Sequence, residues 1–520
     1  MNVLTQILAQ AQRTPDAAAV IQLGHDSASI ETVALTYQQW VAQAQHLARA
    51  LAQTTPADSQ VGIVMGNSAE WVLADLALML SDRVEVPVPL AFSVDQALHL
   101  LQGCSLVLVD EMGARKLQAW CSDGLALSAQ VRQVSLAPVP LSPELPTAAA
   151  CPSADGVIKV IHTSGTTSTP KGVKIRRDGL GALVQALWQR ALREDYQRYL
   201  VLVPFSLLIE QVTALYMPLT SGGAVVLPPV SLAPLGSPGA IAEDRLALIR
   251  QARPTAMTLT PALVEAIAVR AETSGPSTPE RIEQIFGTSR LPLLAAGGGP
   301  VELEVLVRLR QLGIEVFQGY GLSENSSVAT WNYRGANRLG SVGQALPHVA
   351  LRLAEDGELL LRSSSLFAGY TNEDPSSCAI NADGWLHTGD LATIDPDGFV
   401  SIIGRKKTMI ITANGRNVSP EWLEATYRQI PDVEQVIVFG DRQAFMGGVF
   451  IINAQANPAE VQEAIRRFAR THLSEIEQIQ HPVLVVHSEA VMSRLFTVTG
   501  RPRRDQLPSF LQDSTLRICA

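Results

Sequence analysis

The chain has 520 residues, 47% hydrophobic and 17% charged, which suits two or three domains with large cores and excludes extended disorder. Its formal net charge of -9 argues against broad nucleic-acid binding, which needs a basic face, but not against one nucleotide held by a few local donors. Six residues are lysine (Lys116, Lys159, Lys171, Lys174, Lys406 and Lys407); the other basic residues are arginine, and no lysine follows Lys407.

The amphipathic start, Met1 to Val20, has no basic region followed by an apolar stretch, so no signal peptide is expected. Gln60–Gly66 reads as a strand, Ser68–Leu80 as a helix and Leu106–Asp110 as a second strand. Ala137–Asp155, rich in proline and alanine, reads as an ordered loop. The most apolar region, Val201 to Val230, is broken by Glu210, Gln211 and several prolines; buried strands and a helix are expected there, not a transmembrane segment. Leu259–Arg270 and Val301–Leu312 read as helices, and Leu291–Gly298 as a strand entering a glycine turn. This alternation implies largely parallel α/β sheets, with ligands beyond the carboxyl ends of the strands. From about Arg338 short strands alternate with turns such as Asp395-Pro396-Asp397-Gly398, which predicts a β-rich segment over about 338–404. A last α+β unit follows Gly404-Arg405-Lys406-Lys407, with helices Glu421–Arg428 and Pro458–His472 and strands Val433–Phe439 and Gly448–Asn453. Five scattered cysteines without a C-x-x-C pair read as a reduced, cytoplasmic compartment with no structural zinc.

The most informative segment runs from Val160 to Val173. A strand leads into Thr163-Ser164-Gly165-Thr166-Thr167-Ser168-Thr169-Pro170-Lys171-Gly172. Small residues let backbone N–H groups approach phosphate oxygens, hydroxyls add donors, and a lysine neutralises charge. It is not a Walker-type loop, and composition alone does not separate it from a polar surface loop.

This string resembles the signature loop of adenylate-forming enzymes, which include acyl- and aryl-CoA synthetases, nonribosomal peptide adenylation domains and firefly luciferase; Ser168 stands where glycine is usual. Further motifs follow in the family's order. Gly297-Gly298-Gly299-Pro300 resembles the turn beside adenine. In Tyr320-Gly321-Leu322-Ser323-Glu324 the resemblance implies that Tyr320 stacks on adenine, Ser323 replaces a threonine and Glu324 binds magnesium; by itself Glu324 reads equally as a surface glutamate. In Trp385-Leu386-His387-Thr388-Gly389-Asp390 the carboxylate of Asp390 would accept from the ribose hydroxyls. Arg405 would reach ribose or phosphate, and Lys407 would be the hinge pivot, followed by Thr408 in place of an aspartate. Gly415 and Val418, in Asn414 to Glu421, would face the acceptor tunnel.

The resemblance implies ATP, magnesium and a carboxylic acid as ligands, with a thiol acceptor (coenzyme A or carrier-protein phosphopantetheine). Val203 to Glu210 resembles a segment of long-chain acyl-CoA synthetases, which makes Leu207, Leu208 and Ile209 candidates for an apolar acyl pocket; buried helix packing explains them as well. The family's C-terminal catalytic lysine is here Arg501, within Thr497-Val498-Thr499-Gly500-Arg501. Arginine keeps the charge but is wider and planar. The organisation expected is therefore a large N-terminal adenylation domain (1–404) of α/β subdomains plus the β-rich segment, a hinge (405–407) and a small mobile α+β C-terminal domain (408–520). The function expected is an ATP-dependent ligase that forms an acyl-adenylate of a hydrophobic acid and transfers it to a thiol. Two alternatives stay open: an amide ligase of the coronafacic-acid type with an amine acceptor, and a nucleotide-binding protein weakened by Arg501.

Overall fold

The computed structural model describes residues 2–24, 32–141, 156–163, 171–232, 242–371, 380–411, 417–441, 443, 445–475, 477–497 and 500–513. Two large sheets carry most of the chain. The six-stranded sheet runs in the order Gln130–Gln133, Cys104–Val109, Gln60–Val64, Val84–Pro87, Val157–Thr163, Lys171–Arg176. Its pairs are parallel except the last, the hairpin that frames residues 164–170. The nine-stranded sheet runs Gln344–Ala345, Ser327–Trp331, Val316–Leu322, Leu293–Ala296, Ala256–Leu259, Arg198–Leu200, Ala224–Leu227, Ala18–Gln22, Thr32–Thr36. Its centre is parallel and its two ends antiparallel. Parallel strands need crossover segments, which the intervening helices supply.

Side chains leave a strand on alternate faces, and the two faces here pack into different cores. Leu106 and Leu108 join the cluster shared by both sheets, while Val107 and Val109 pack on the opposite face. Helices fill the space between the sheets. Ala69–Ser81 is buried nearly all round, with the Ser68 hydroxyl accepting from Trp71 N at its start and Asp82 in the left-handed region at its end. The strand Gln60–Val64 stops short of Gly66 because the Gly66 N–H turns to the Asp110 carboxylate, 2.9 Å away.

The apolar Val201–Val230 region holds a feature that periodicity does not predict. Its helical run, Leu208 to Ser221, widens into a π-turn over Gln211–Tyr216. Pro218 lacks an amide hydrogen and its ring crowds the carbonyl four residues earlier, which a wider turn relieves. The expected loop 137–155 lies largely outside the described residues.

The β-rich segment is a four-stranded antiparallel sheet, Val349–Leu353, Glu358–Ser363, Leu386–Ile394, Val400–Arg405. Beyond it, Val433–Phe439 pairs antiparallel with Met446–Ile452, which pairs parallel with Ile479–Val486, and helices Pro420–Tyr427 and Pro458–His472 pack nearby. Separate apolar clusters line this unit. Among the described residues no helix is long and apolar enough to cross a membrane.

A charged network sits inside the large core. Lys159 is 1% exposed, in the middle of a strand. Its Nζ lies 2.5 Å from Asp75 Oδ1 and also bonds Glu85. Tyr216 Oη donates to Asp75 (2.9 Å) and Gln211 Nε2 donates to Glu85 (3.0 Å). Burial drives the Glu85 carboxyl upwards, against the pull of Lys159. Lys159→Met would leave two carboxylates without their cation in a dry interior. The expected loss is about 3–5 kcal/mol, read as a lower urea midpoint; an unchanged midpoint would refute the structural role of this network.

Candidate active site

The two large sheets, the β-rich segment and the C-terminal unit converge on one open cleft of about 3000 Å³. The backbone brings its residues together through specific close approaches. Gly321 follows Tyr320 where the strand pairing with Ser327–Trp331 shifts register. A Cβ at Gly321 would stand 2.0 Å from the Ser327 carbonyl oxygen, so a glycine is required there. The turn Ser323–Asn325 then carries Glu324 into the cleft, with Ser323 beside it.

Tyr320 and Asp390 meet across 70 residues of sequence. Tyr320 Oη donates to Asp390 Oδ2 at 2.5 Å. Asp390 is 4% exposed and faces Arg405 in cross-strand register, with Arg405 Nε 2.9 Å from Oδ1. Arg405 Nη1 also donates to the Thr388 carbonyl (3.1 Å). Burial raises the Asp390 pKa, opposed by Arg405, Tyr320 and Arg501. Burial and the Asp390 charge hold the Tyr320 phenol well above its ordinary value. Trp385 of the same motif is covered by the guanidinium groups of Arg352 and Arg362, 4.3 and 4.9 Å from its ring centre.

The glycine turn lies opposite. Gly298 takes φ +80°, and Gly298, Gly299 and Pro300 line the cleft. Arg501 of the C-terminal unit reaches across and donates through Nη2 to the Gly298 carbonyl (3.0 Å). Arg501 is tied to Thr497: Thr497 N bonds Arg501 O (2.8 Å) and Arg501 N bonds Thr497 Oγ1 (3.0 Å). Although solvent reaches this side chain through the open cleft, its charged end is closely surrounded. That crowding, followed by the like charge of Arg405, presses its pKa down; a guanidinium remains charged nonetheless.

Lys171 opens the strand after the phosphate-loop segment and lines the cleft, with Nζ 5.5 Å from the ring centre of Tyr370. The Tyr370 hydroxyl donates to Glu324 Oε1 (2.9 Å). Thr163 ends the preceding strand, in register with Lys171. Ser164, Gly165, Thr166, Thr167 and Gly415 lie outside the described residues. Val418 is 4% exposed and packs in the core of the C-terminal unit, so its side chain does not itself face a tunnel as the resemblance implies. Lys406 bonds back to Asp356 (2.5 Å) and Glu358 (2.9 Å), and the Thr408 hydroxyl bonds both forward to Glu421 (2.7 Å) and back to the Arg405 carbonyl (3.2 Å); Lys407 between them is exposed at the cleft.

Leu207, Leu208 and Ile209 all line the cleft, Leu208 from a buried position. Glu210 beneath them is fully buried, and its Oε1 accepts from Leu202 N (3.2 Å) and Val203 N (3.4 Å). Its Oε2 has no hydrogen-bond partner among the described residues. Burial pushes this carboxyl up to about 8.

One contributor is not evident from the motifs alone: Tyr370, in Phe367-Ala368-Gly369-Tyr370, whose signal is an aromatic after a glycine beyond the β-rich strand pair.

No group of three or more His, Cys, Asp or Glu side chains able to hold a metal occurs among the described residues. Glu324, with one oxygen engaged by Tyr370, suits a magnesium ion bound by one carboxylate and otherwise by substrate phosphates and water.

Fold and cleft together are those of an adenylate-forming enzyme. The sequence profile of the AMP-binding enzyme family matches residues 7–371 and that of the AMP-binding enzyme C-terminal domain matches residues 407–497, so the chain belongs to this family. The long-chain-fatty-acid–CoA ligase FadD15 of Mycobacterium bovis is 27% identical over 462 residues, covering 77% of this chain and 74% of the relative. The structure of an anthranilate CoA ligase in complex with anthranoyl-AMP superposes with a TM-score of 0.81 at 19% identity, covering 98% of this chain and 97% of the other. The o-succinylbenzoate CoA synthetase of Bacillus subtilis, in complex with ATP and magnesium, gives 0.74 at 20% identity, covering 97% and 99%. At these identities the superpositions establish the fold.

The buried Glu210 carboxyl generates a pH prediction. Its folded pKa of about 8 lies above the ordinary 4.5, so the folded protein holds a proton that the unfolded chain releases. The contribution is complete below about pH 4.5 and is lost as pH rises through about 8. Glu210→Gln should remove this slope, gaining stability relative to the parent between pH 5 and pH 8 in urea midpoints compared across roughly that window. Parallel pH curves for the two proteins would refute it.

Proposed function

We propose that this protein activates a hydrophobic carboxylic acid with ATP, releases pyrophosphate, and passes the acyl group to the thiol of coenzyme A. The observation that carries the reading is Arg501, whose guanidinium bonds Gly298 across the cleft and whose charge is felt at Asp390. A cation from the C-terminal unit thus stands between the adenine-side turn and the ribose-side carboxylate, where a carboxylate must approach an α-phosphate.

In this reading Asp390 accepts from the ribose hydroxyls, with Arg405 and the Tyr320 hydroxyl orienting its two oxygens. Tyr320 and the turn Gly298–Pro300 bracket the adenine. Lys171, with the hydroxyls and amides of Thr163 to Thr167, holds the phosphates. Glu324 is the residue that would hold magnesium, which when bound screens phosphate charge and draws electrons from the leaving pyrophosphate. The acid's carboxylate oxygen attacks the α-phosphorus as the bond to the bridging oxygen breaks, and Arg501 offsets the negative charge that accumulates. Leu207, Leu208 and Ile209, on the cleft wall, receive the apolar part of the acid. The kinship with fatty-acid–CoA ligases supports an apolar acid and coenzyme A as acceptor.

The second half-reaction needs Arg501 withdrawn and the thiol admitted. In this reading Lys407, exposed between Lys406 on the β-rich segment and Thr408 on Glu421, is the pivot between a body of residues 1–404 and a mobile unit of 408–520, and the turn parts the bonds from Thr408 to the Arg405 carbonyl. The loop of Gly415 and Val418 would then face the acceptor. The thiol, giving up its proton, attacks the acyl carbon of the mixed anhydride; the new C–S bond forms as the C–O bond to the phosphate breaks, and AMP leaves with that oxygen and its electron pair.

The test is pyrophosphate release with ATP, magnesium and a panel of aliphatic, aryl and long-chain acids, first without acceptor and then with coenzyme A. Acid-dependent release followed by a thioester is the expected result; a thiol-independent amide with added amines would overturn the thiol acceptor. Arg501→Ala should cut acid-dependent release by about 100- to 1,000-fold, and Arg501→Lys should retain most of it. ATP binding without release for any acid would refute the ligase reading.

A further inference from the structure

We propose that Tyr370 is a positioning residue that sets the geometry of the Glu324 carboxylate and the Lys171 ammonium together. The inference rests on the ligase reading, in which these two side chains hold magnesium and phosphate. Tyr370 touches both. Its hydroxyl donates to Glu324 Oε1 at 2.9 Å, and its ring faces Lys171 Nζ with 5.5 Å to the ring centre. A carboxylate with one oxygen engaged by a donor presents the other in a fixed direction, and partners of this kind tune metal affinity by orienting the ligand. The ring face attracts an ammonium without neutralising it, so Lys171 keeps its full charge for phosphate.

The surroundings of Tyr370 are built to hold it still. Phe367 packs edge-on against its ring, centres 4.9 Å apart at 66°. The backbone from Phe367 to Thr371 is laced to both partners' segments. Phe367 N bonds Glu324 O (2.9 Å), Ala368 N bonds Lys174 O (2.9 Å), Lys174 N bonds Gly369 O (3.0 Å) and Thr371 N bonds Gly172 O (2.8 Å). Gly172 makes the approach possible, since a Cβ there would lie 2.7 Å from the Thr371 side chain and from Val160. The glycine after Lys171 therefore serves to admit the segment that carries Tyr370, which bridges Val173. Through this segment the metal-side and phosphate-side residues, on separate sheets, share one reference point.

The hydroxyl and the ring have separable effects. Tyr370→Phe keeps the ring over Lys171 and deletes the bond to Glu324; Tyr370→Leu deletes both. Calorimetric titration of the full-length protein with a non-hydrolysable ATP analogue, repeated over a magnesium series, separates them without relying on turnover. Tyr370→Phe should raise the half-saturating magnesium concentration about 10- to 100-fold while leaving magnesium-free analogue affinity as in the parent. Tyr370→Leu should weaken the magnesium-free affinity as well. Glu324→Gln serves as the reference for a lost metal ligand. If Glu324→Gln shifts the magnesium dependence and Tyr370→Phe does not, the role of Tyr370 is overturned while the ligase reading stands. If the parent protein binds no analogue at any magnesium concentration, the ligase reading falls and this inference with it.

Discussion

Asp390 has to be buried and charged at once, and much of the site follows from that demand. A carboxylate at 4% exposure loses most of its hydration, a penalty its environment must offset or the group takes up a proton. Three units supply the compensation. The β-rich segment provides Arg405 by strand register, the nine-stranded sheet provides the Tyr320 hydroxyl, and the C-terminal unit brings the charge of Arg501 within range. Each partner lies on a different layer. The arrangement that surrounds this one group also brings the three units to the same cleft.

Close backbone approach is the second constraint. Gly321 and Gly172 both sit where a Cβ would collide, with the Ser327 carbonyl and the Thr371 side chain respectively. The glycines of the two motifs thus act through packing. They bring a turn bearing Glu324 and a strand opening with Lys171 against the segment that bears Tyr370. The residues around Lys407 are tied on both sides. Lys406 bonds Asp356 and Glu358, while Thr408 bonds Glu421 and also, through its N–H and its hydroxyl, the Arg405 carbonyl.

Much of the fold was legible from pattern. The strand Val433–Phe439 and the helix Pro458–His472 have the bounds their pattern predicts: the strand is a short apolar run buried on both faces, and the helix buries the single stripe Val461, Ile465 and Ala469. The alternation of strands and helices gave the parallel sheets, and the turns after Arg338 gave the antiparallel segment. The candidate site was legible to the extent that its residues lie in short motifs: Tyr320, Asp390, Arg405 and Arg501, each singled out from such a motif, line one cleft. Val418 was legible as part of a motif, whereas its burial in the core of the C-terminal unit was not. The strand Ile479–Val486 completes the C-terminal sheet by parallel pairing, which local alternation does not specify.

What the amino-acid order determined by itself was therefore local: which runs form strands and helices, where many of them stop, and which short motifs supply the hydroxyls, carboxylates and cations that line the cleft. Tertiary structure decided the pairings between distant positions. Lys159 finds Asp75 and Glu85 inside the core, Tyr216 finds the same Asp75 over 141 residues, and Tyr370 finds Glu324 over 46. No periodicity encodes such contacts. They are selected when layers pack and each buried charge or hydroxyl must meet a partner within hydrogen-bond reach, a condition that exists in the assembled fold and nowhere along the unfolded chain.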